Sequence, residues 1–391
     1  MDPALSEWLN LLVRWFHVIA GIMWIGSSIF FNWLDSSLER PDPPDRHLQG
    51  RLWMVHSGGF YDVRKVHLEP GEVPATIHWF YWEATFTWIS GILLLGIVYY
   101  LDTSLLVDPS VRELQPAAAI GLGVGLLVVS WFLYDGLWQS PVPRGVATAL
   151  SLAYLAGVSW GLCQLYSGRG AFIHVGAMMG TCMVANVWRR ILPAQTQMLA
   201  ATREGREADW SLGEKAKTRS RHNNYMTFPV IFVMISNHFP TTWAGTWNWA
   251  ILLVLFLASM LVKHFMNISD RFRAWIPASA ATAVVAILAL WLVTSRPAPA
   301  ATGGPASFAE AHAVIVARCQ PCHSVHPTDA AFPTAPLGVT FDTAAEMKAK
   351  ADRIKFRAVD SRTMPLAKRT GITDAERDVL GRWVSGGAPI E

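Results

Sequence analysis

"LNLLVRWFHVIAGIMWIGSSIFFNWL", at residues 9–34, decides the class of fold that this chain can adopt. A hydrocarbon layer about 30 Å thick is crossed by roughly 20 helical residues, so this apolar run predicts a membrane-spanning helix. The whole chain agrees, because 52% of its 391 residues are hydrophobic, only 16% are charged and 19 are Trp. That composition is too apolar and too aromatic for an ordinary soluble enzyme.

Further apolar runs of similar length follow, several of them bounded by the Trp and Tyr residues typical of membrane interfaces. We therefore predict an all-α protein whose main part is an eight-helix transmembrane bundle. The sixth run is the shortest and contains Pro229, which favours a kink. The eight predicted segments are 9–34, 78–101, 117–138, 145–166, 171–192, 223–239, 248–268 and 274–294.

The loops between these segments differ strongly in positive charge. One set of loops carries 17 Lys and Arg residues and the opposite set carries three. Since cytoplasmic loops are enriched in Lys and Arg, this asymmetry places both termini outside. We expect a multi-pass protein of the bacterial inner membrane with periplasmic N- and C-termini, and the periplasm is also where c-type haem is attached.

A motif near the C-terminus carries redox chemistry. Cys319, Cys322 and His323 form Cys-x-x-Cys-His, the attachment pattern of c-type haem. The two thiols would bond the haem vinyl groups, and the imidazole would be an axial iron ligand. Met364, which precedes a proline, is the expected sixth ligand, and a thioether opposite His raises the reduction potential. Met347 is the competing methionine, and a zinc or thiol-redox site is the alternative for the cysteines.

The domain organisation follows from a change in composition. A linker rich in Pro, Ala and Gly at 295–306 separates a transmembrane catalytic domain, 1–294, from a small domain at 307–391. In the small domain a short helix should deliver the haem motif, and a later helix should begin after an N-cap at Thr373. This segment resembles a class I c-type cytochrome and is expected in the periplasm.

Histidines within the predicted bundle are candidate haem ligands, because ionisable groups in a bilayer are costly and usually functional. His17 and His174 lie towards the outer side and His264 towards the inner side. We predict that they hold one or two b-type haems, with Arg14, on the face of His17, binding a propionate. These haems would relay electrons across the layer unless the substrate binds nearer the periplasm. The structural alternative is that the imidazoles bond neighbouring helices.

Three stretches resemble a known family: RWFHVIAGIMWIGSSIFFNWLD at 14–35, LWMVHSGGFYDVRKV at 52–66 and HNNYMTFPVIFVMISNHFP at 222–240. The chain is similar, over essentially its whole length, to bacterial membrane-bound urate hydroxylases, or urate oxidases, with a fused cytochrome c. The resemblance implies oxidation of urate to 5-hydroxyisourate, with electrons passing through haem to cytochrome c and a terminal oxidase of the respiratory chain. No nucleic-acid partner is expected.

A urate anion needs positive charge, hydrogen bonds and a proton acceptor around it. The residues that could supply them have structural alternatives, as positive-inside anchors or helix caps. The candidates are Arg64, Lys65 and His67 as positive or donor groups, Asn223 and Asn224 for the purine edges, His222 or His56 as base beside Asn224, and Tyr61 or Phe60 as a stacking ring. The competing function is a fused b- and c-type cytochrome that transfers electrons from a quinol or another dehydrogenase.

Overall fold

The computed structural model describes the backbone of residues 3–109, 111–294, 303–329, 332–366 and 369–390. Most of the predicted linker at 295–306 therefore lies outside the described residues. The described chain is mainly helical, as expected from its apolar periodicity.

Helices dominate the first three quarters of the described chain. Seven helical segments are long and apolar enough to cross a membrane, and they coincide with seven of the eight predicted ones. The helices are α1 (Pro3–Ser37), α2 (Trp82–Leu95), α3 (Pro116–Gln139), α4 (Arg144–Cys163), α5 (Gly168–Asn186), α6 (Leu192–Arg203), α7 (Trp210–Ser236), α8 (Pro240–Trp243), α9 (Asn248–Asn267) and α10 (Trp275–Thr294).

The sixth predicted segment, 223–239, falls on α7. This helix is continuous over 27 residues and includes Pro229, but it begins in a charged stretch well before the apolar run. It is therefore not one of the seven helices that are long and apolar enough to count as candidate membrane spans. The eight-helix bundle stays a prediction, although all eight predicted segments contain helix.

Helix α5 lies at the centre of the bundle. In its apolar window 72% of residues are buried, against 6–28% in the other six apolar segments. Phe172 and Val175 of α5 are fully buried in one cluster with Leu252 and Phe256 of α9. Because α5 is surrounded by other helices, polar groups on it face protein rather than lipid.

A β-hairpin corrects the all-α expectation in one place. Strands β1 (Leu48–His56) and β2 (Gly59–Val66) pair in antiparallel register around a two-residue turn. Both turn residues have positive φ, 49° at Ser57 and 77° at Gly58, as the right-handed twist of a two-residue hairpin requires. The sequence signal for this turn is the pair Ser57-Gly58. It is a weak signal, because Ser is not among the residues most typical of the first position of such turns.

Three helix turns of the π type interrupt the regular pattern. They lie at Gly96–Tyr100 after α2, at Val187–Ile191 between α5 and α6, and at Lys355–Asp360 near the C-terminus. Such turns are rare and often lie at functional sites, because the extra residue redirects neighbouring side chains.

The C-terminal part has a hydrophobic core of its own, in which Ile315, Met347, Leu380 and Trp383 are fully buried. The predicted helix before the haem motif and the predicted helix after Thr373 are both present. Capping boxes, in which a Ser or Thr and a Glu bond each other's backbone amides, begin three of the helices. The helices are α11 (Phe308–Arg318), α12 (Ala344–Ala349), α13 (Ala351–Ile354) and α14 (Asp374–Ser385).

The segment that carries Met364 contacts one end of the bundle. The Arg357 Nη1 donates to Thr241 Oγ1 on α8 at 2.9 Å, and Leu366 packs against the core of the bundle. Because α8 follows the C-terminal end of α7, this is the end of the bundle at which α5 begins.

Matched glycine substitutions test the hairpin. We expect Gly58→Ala to destabilise the hairpin by about 1 kcal/mol, because an L side chain is disfavoured at φ +77°. The neighbouring Gly59→Ala should have little effect, since the nearest atom to its new Cβ, the His56 carbonyl oxygen, would lie 3.8 Å away. Amide hydrogen exchange in β1 and β2 measures both changes. Equal protection in the two variants would contradict the turn geometry.

Candidate functional site

The carboxylate of Asp135, near the C-terminal end of α3, is saturated with hydrogen bonds. Its Oδ1 accepts from Arg190 Nε at 2.8 Å and from Arg219 Nη2 at 2.9 Å. Its Oδ2 accepts from Gln139 Nε2 at 2.7 Å and from Arg190 Nη2. A carboxylate offers about four lone-pair sites, so Asp135 has none left for a further donor.

Three helical elements meet at this carboxylate. Arg190 lies in the π turn that follows α5, and Arg219 lies on α7 with its guanidinium 4.9 Å from the centre of the Tyr134 ring. Arg219 is only 5% exposed. A buried guanidinium needs a paired charge, so Asp135 is what allows α7 to pack here.

A second set of polar side chains continues from Asp135 into the bundle. Asn223 Nδ2 donates to the Met183 carbonyl at 2.9 Å, which orients its amide. Asn186 Nδ2 then donates to Asn223 Oδ1 at 2.8 Å and to the Tyr134 hydroxyl at 3.1 Å. The Tyr134 hydroxyl is left to donate to Nδ1 of His222, 2.7 Å away. We call Tyr134, Asp135, Asn186, Arg190, Arg219, His222 and Asn223 the Asp135 cluster.

The Asp135 cluster is incomplete in its hydrogen bonding. Arg219 Nη1 and Asn186 Oδ1 are buried without a partner among the described residues. A cavity of about 230 Å³, which we call the Trp131–Trp188 cavity, adjoins the cluster and is lined by both of those indoles, Asp135 and Arg190. Trp188 is fixed at its rim by a 2.8 Å hydrogen bond from its indole to Thr85 on α2.

Two predicted site residues, His222 and Asn223, belong to the Asp135 cluster, whereas Asn224 faces another side of α7. Asn224 is 1% exposed, and neither atom of its amide has a partner among the described residues. One turn further along that face, the Lys263 ammonium lies 5.2 Å from the Phe228 ring centre. The structure therefore separates the two asparagines that the sequence places side by side.

The predicted residues on the hairpin lie elsewhere. His56 is exposed at the turn and bonds Ser57 at 2.8 Å, and Tyr61 and Arg64 are exposed on β2. Nearer the bundle, Lys65 pairs with Asp35 of α1. No contact between these four side chains and the Asp135 cluster occurs within the described ranges.

His67, just after β2, stacks on Trp210 at the start of α7 with ring centres 3.7 Å apart. Partial burial, and then the charges of Lys65 and His47, lower the pKa of His67. The imidazole is therefore neutral at pH 7 and can donate a hydrogen bond but supplies no charge.

The three histidines predicted to bind b-type haem lie on different helices. The Nδ1 of His17 lies 3.0 Å from the Thr87 carbonyl and 2.9 Å from the Ser90 hydroxyl, and the tautomer that donates to Thr87 has its lone pair on Nε2. His264 is exposed with Nδ1 2.8 Å from the Tyr225 hydroxyl. His174 is fully buried, and both of its ring nitrogens are bonded, at 2.8 Å to the Gly170 carbonyl and at 3.0 Å to the Tyr100 hydroxyl. To bind iron through Nε2, His174 would have to release Tyr100.

Arg14, the predicted propionate ligand, lies one turn before His17 on α1. Its guanidinium donates twice to Asn10 Oδ1, at 2.8 and 3.2 Å. No carboxylate pairs with Arg14 in the described part of the chain, which leaves its charge available for an anionic group.

Among the predicted haem c residues, His323 is held in place by a backbone hydrogen bond. The Nδ1 of His323 donates to the Val339 carbonyl at 2.9 Å, which orients the ring and leaves Nε2 for iron. Burial lowers the pKa of His323, so the neutral form that binds a metal is favoured. Cys319 and Cys322 are both free thiols, and burial raises the pKa of Cys319 to about 12. A thiol of such high pKa does not fit a reactive redox cysteine.

The two candidate methionines differ in their surroundings. Met347 is fully buried within the C-terminal core. Met364 is half-buried on an irregular segment. Its backbone N–H donates to the Arg357 carbonyl at 2.9 Å, and its carbonyl accepts from Arg377 Nη1, also at 2.9 Å. Held backbone and an accessible thioether favour Met364 as the ligand. Within the described ranges no three His, Cys, Asp or Glu side chains converge, as a zinc site would need.

Sequence reasoning did not place Asp135 in the site. It did not single out Tyr134, Asn186, Arg190 or Arg219. The hydrogen bonds from Arg190 and Arg219 to Asp135 cross 55 and 84 residues of sequence, so no local pattern pairs them.

The fold and the site together define a helical protein with an apolar bundle and a buried, arginine-rich polar cluster at one end of it. Residues 3–294 match the urate oxidase N-terminal family, and the chain belongs to that family. The match stops where the predicted linker begins, so it does not extend to the Cys-x-x-Cys-His segment. No curated protein and no solved structure matches the chain.

Removing the shared carboxylate tests how much the Asp135 cluster stabilises the bundle. We expect Asp135→Ala to destabilise the protein by about 3 kcal/mol or more, because Arg219 is left buried without a counter-charge. The control is Asp270→Ala, whose partner Arg271 is 78% exposed at the side chain. Thermal unfolding in detergent compares them, and similar midpoints would show that the Arg219 charge needs no partner.

Proposed function

We propose that this chain oxidises urate to 5-hydroxyisourate in the bacterial inner membrane and that the electrons pass to haem c in residues 307–391 and then to the respiratory chain. One observation carries the proposal. A unit of the urate oxidase N-terminal family, residues 3–294, is joined to a Cys-x-x-Cys-His segment whose His323 ring is oriented with Nε2 unengaged by Val339.

The exposed surface supports a lipid environment. Trp15 and Ile22 on α1, and Ile287 and Trp291 on α10, are each 62–66% exposed. Soluble monomers rarely expose apolar surface on this scale. Together with the seven apolar helices and the uneven Lys and Arg distribution, this favours a multi-pass protein with both termini in the periplasm.

The proposed reaction is balanced without dioxygen. One urate monoanion and one water give 5-hydroxyisourate, one proton and two electrons. The new bond joins C5 to the water oxygen, the hydroxyl group stays on C5, and the other water proton leaves to a base. Haem, when bound, supplies one-electron acceptance, so two transfers are needed for each urate.

The Asp135 cluster favours His222 over His56 as the base. His222 is packed against Trp138 with ring centres 4.0 Å apart, and its Nδ1 accepts from the Tyr134 hydroxyl. A proton that reaches Tyr134 can therefore pass to His222. His56 lies on an exposed turn, where water competes for the same role.

Of the two asparagines, Asn224 is the better candidate for a purine edge. The Asn223 amide is already committed to Asn186 and to the backbone, whereas Asn224 has an unmatched donor and an unmatched acceptor in a buried position. A purine anion presents donors and acceptors side by side, as an amide does. Of the hairpin residues, Arg64 lies 3.5 Å from Asp62 and Lys65 pairs with Asp35, so their charge is partly neutralised.

The residues that would hold the haems follow from the same geometry. Cys319 and Cys322 would bond haem c, with His323 and Met364 as its axial ligands. In the bundle, His17 offers Nε2 to a b-type haem and Arg14 offers an unpaired guanidinium to a propionate. His174 and His264 stay candidate ligands, and the number of b-type haems, one or two, stays open.

The direct test is anaerobic reduction of the purified, haem-loaded protein. We expect urate to reduce haem c and so to produce the ferrous haem c spectrum. The double variant Cys319→Ala, Cys322→Ala should lack this spectrum because its haem is not attached. An absorption spectrum recorded under argon after urate addition measures this.

The competing function gives a different result in the same cuvette. If a quinol reduces the haem while urate leaves it oxidised, the chain is an electron-transfer module and the proposed oxidation of urate is refuted.

The two methionines provide a matched pair for the axial ligand. We expect Met364→Ala to lower the reduction potential of haem c, because the thioether that stabilises ferrous iron is lost. Met347→Ala should instead lower stability by about 3 kcal/mol through a core cavity, with little change in potential. Redox titration and thermal unfolding of both variants distinguish the two roles. If Met347→Ala lowered the reduction potential and Met364→Ala left it unchanged, Met347 would be the ligand.

A further inference from the structure

The Asp135 cluster holds more positive charge than its one carboxylate can neutralise. Arg190 and Arg219 both bond Asp135, and Arg189 lines the same Trp131–Trp188 cavity. Within the cluster, two guanidiniums and one carboxylate leave a surplus of one positive charge, and the exposed Arg189 adds a second charge at the cavity. Buried or partly buried surplus charge is unfavourable unless an anion completes it.

The hydrogen bonds show in addition that the cluster behind the cavity wall is incomplete, although Arg219 belongs to the cluster and does not line the cavity. All four acceptor sites of Asp135 are filled, so the carboxylate cannot take the remaining donor, Arg219 Nη1. Arg219 is only 5% exposed, so bulk water cannot readily form a hydrogen bond with Nη1. An unpaired charged donor in such a position costs about 1–3 kcal/mol or more.

The shape of the cavity restricts the kind of anion. Two indoles, Trp131 and Trp188, are part of its wall, and aromatic faces favour a flat, polarisable partner. Its volume of about 230 Å³ is below the roughly 300–1,000 Å³ typical of pockets for drug-sized ligands. A small planar anion fits this description better than a phosphate ester with a bulky substituent.

We infer that the Trp131–Trp188 cavity is the binding site for the urate anion, with Arg189 and Arg190 supplying charge and Trp188 supplying a stacking face. The inference rests on the proposed function for the identity of the anion. It moves the substrate from the hairpin residues Tyr61 and Arg64, and from Asn224 on the other side of α7, to the junction of α3 with the π turn. It also places the substrate beside Asp135, the residue that follows Tyr134 of the proposed proton route.

The experiment separates binding from oxidation. The full-length haem-loaded protein, in phosphatidylcholine nanodiscs, is first reduced with ascorbate under argon, so that it cannot take electrons from urate. Equilibrium dialysis with radiolabelled urate then measures affinity alone. Arg189→Gln should weaken binding about tenfold or more, because a charge-assisted contact is removed. Trp188→Leu should weaken it similarly, while Trp188→Phe keeps a ring and should bind better than the Leu variant.

Arg203→Gln is the matched control, since Arg203 is an exposed arginine on α6 outside the cavity lining. It should bind urate as the unchanged protein does. Arg189 is itself exposed, so its loss should not prevent folding, and an unchanged haem c spectrum verifies that.

Two other results overturn the inference, and a third overturns only the proposed oxidation. If Arg189→Gln and Trp188→Leu both bind urate with the affinity of the unchanged protein, the urate site lies elsewhere. That result would not refute the proposed oxidation of urate. Retention of phosphatidylglycerol from mixed nanodiscs, without urate binding, would assign the cavity to a lipid headgroup. If urate binds and Arg189→Gln abolishes binding, yet urate never reduces the oxidised haem, the site stands and the proposed oxidation fails.

Discussion

One carboxylate holds together the part of the molecule where chemistry is expected. Asp135 accepts four hydrogen bonds, two of them from Arg190 and one from Arg219, and so ties α3 to the π turn after α5 and to α7. The pairing is what permits Arg219 to be buried. Because Asp135 is saturated, however, it cannot neutralise everything around it, and the remaining charge and unpaired polar atoms are the basis of the anion site that we infer at this end of the bundle.

The two ends of α5 have different chemistry. His174 and Tyr100 lie near its start, close to the end of the bundle that Arg357 and Leu366 contact, whereas Arg190 lies just past its end. The 16 residues from His174 to Arg190 correspond to about 24 Å of helix. A substrate at the Asp135 cluster therefore lies far from the C-terminal segment, which is the physical reason for expecting electron carriers within the bundle. A π turn lies beside each of the two positions.

Local causes made part of this structure predictable. Apolar runs of about 20 residues predicted seven of the helical segments, and Thr373 as an N-cap residue predicted the start of α14. The hairpin was missed because a Ser-Gly turn is a weak signal inside a loop already expected to bind ligand. Apart from His222 and Asn223, the Asp135 cluster was missed for another reason. Its hydrogen bonds join helices that are distant in sequence, and each missed member reads locally as an ordinary loop arginine or helix polar residue.

The central claim is that two electrons leave urate through the protein rather than through direct reaction with dioxygen. Electron counting under argon, with ferricyanide as final acceptor, tests it most directly. The account predicts two ferricyanide ions reduced for each urate consumed, and respiration in air without stoichiometric hydrogen peroxide. Urate consumption that stops under argon despite ferricyanide, and that yields one hydrogen peroxide per urate in air, would contradict it.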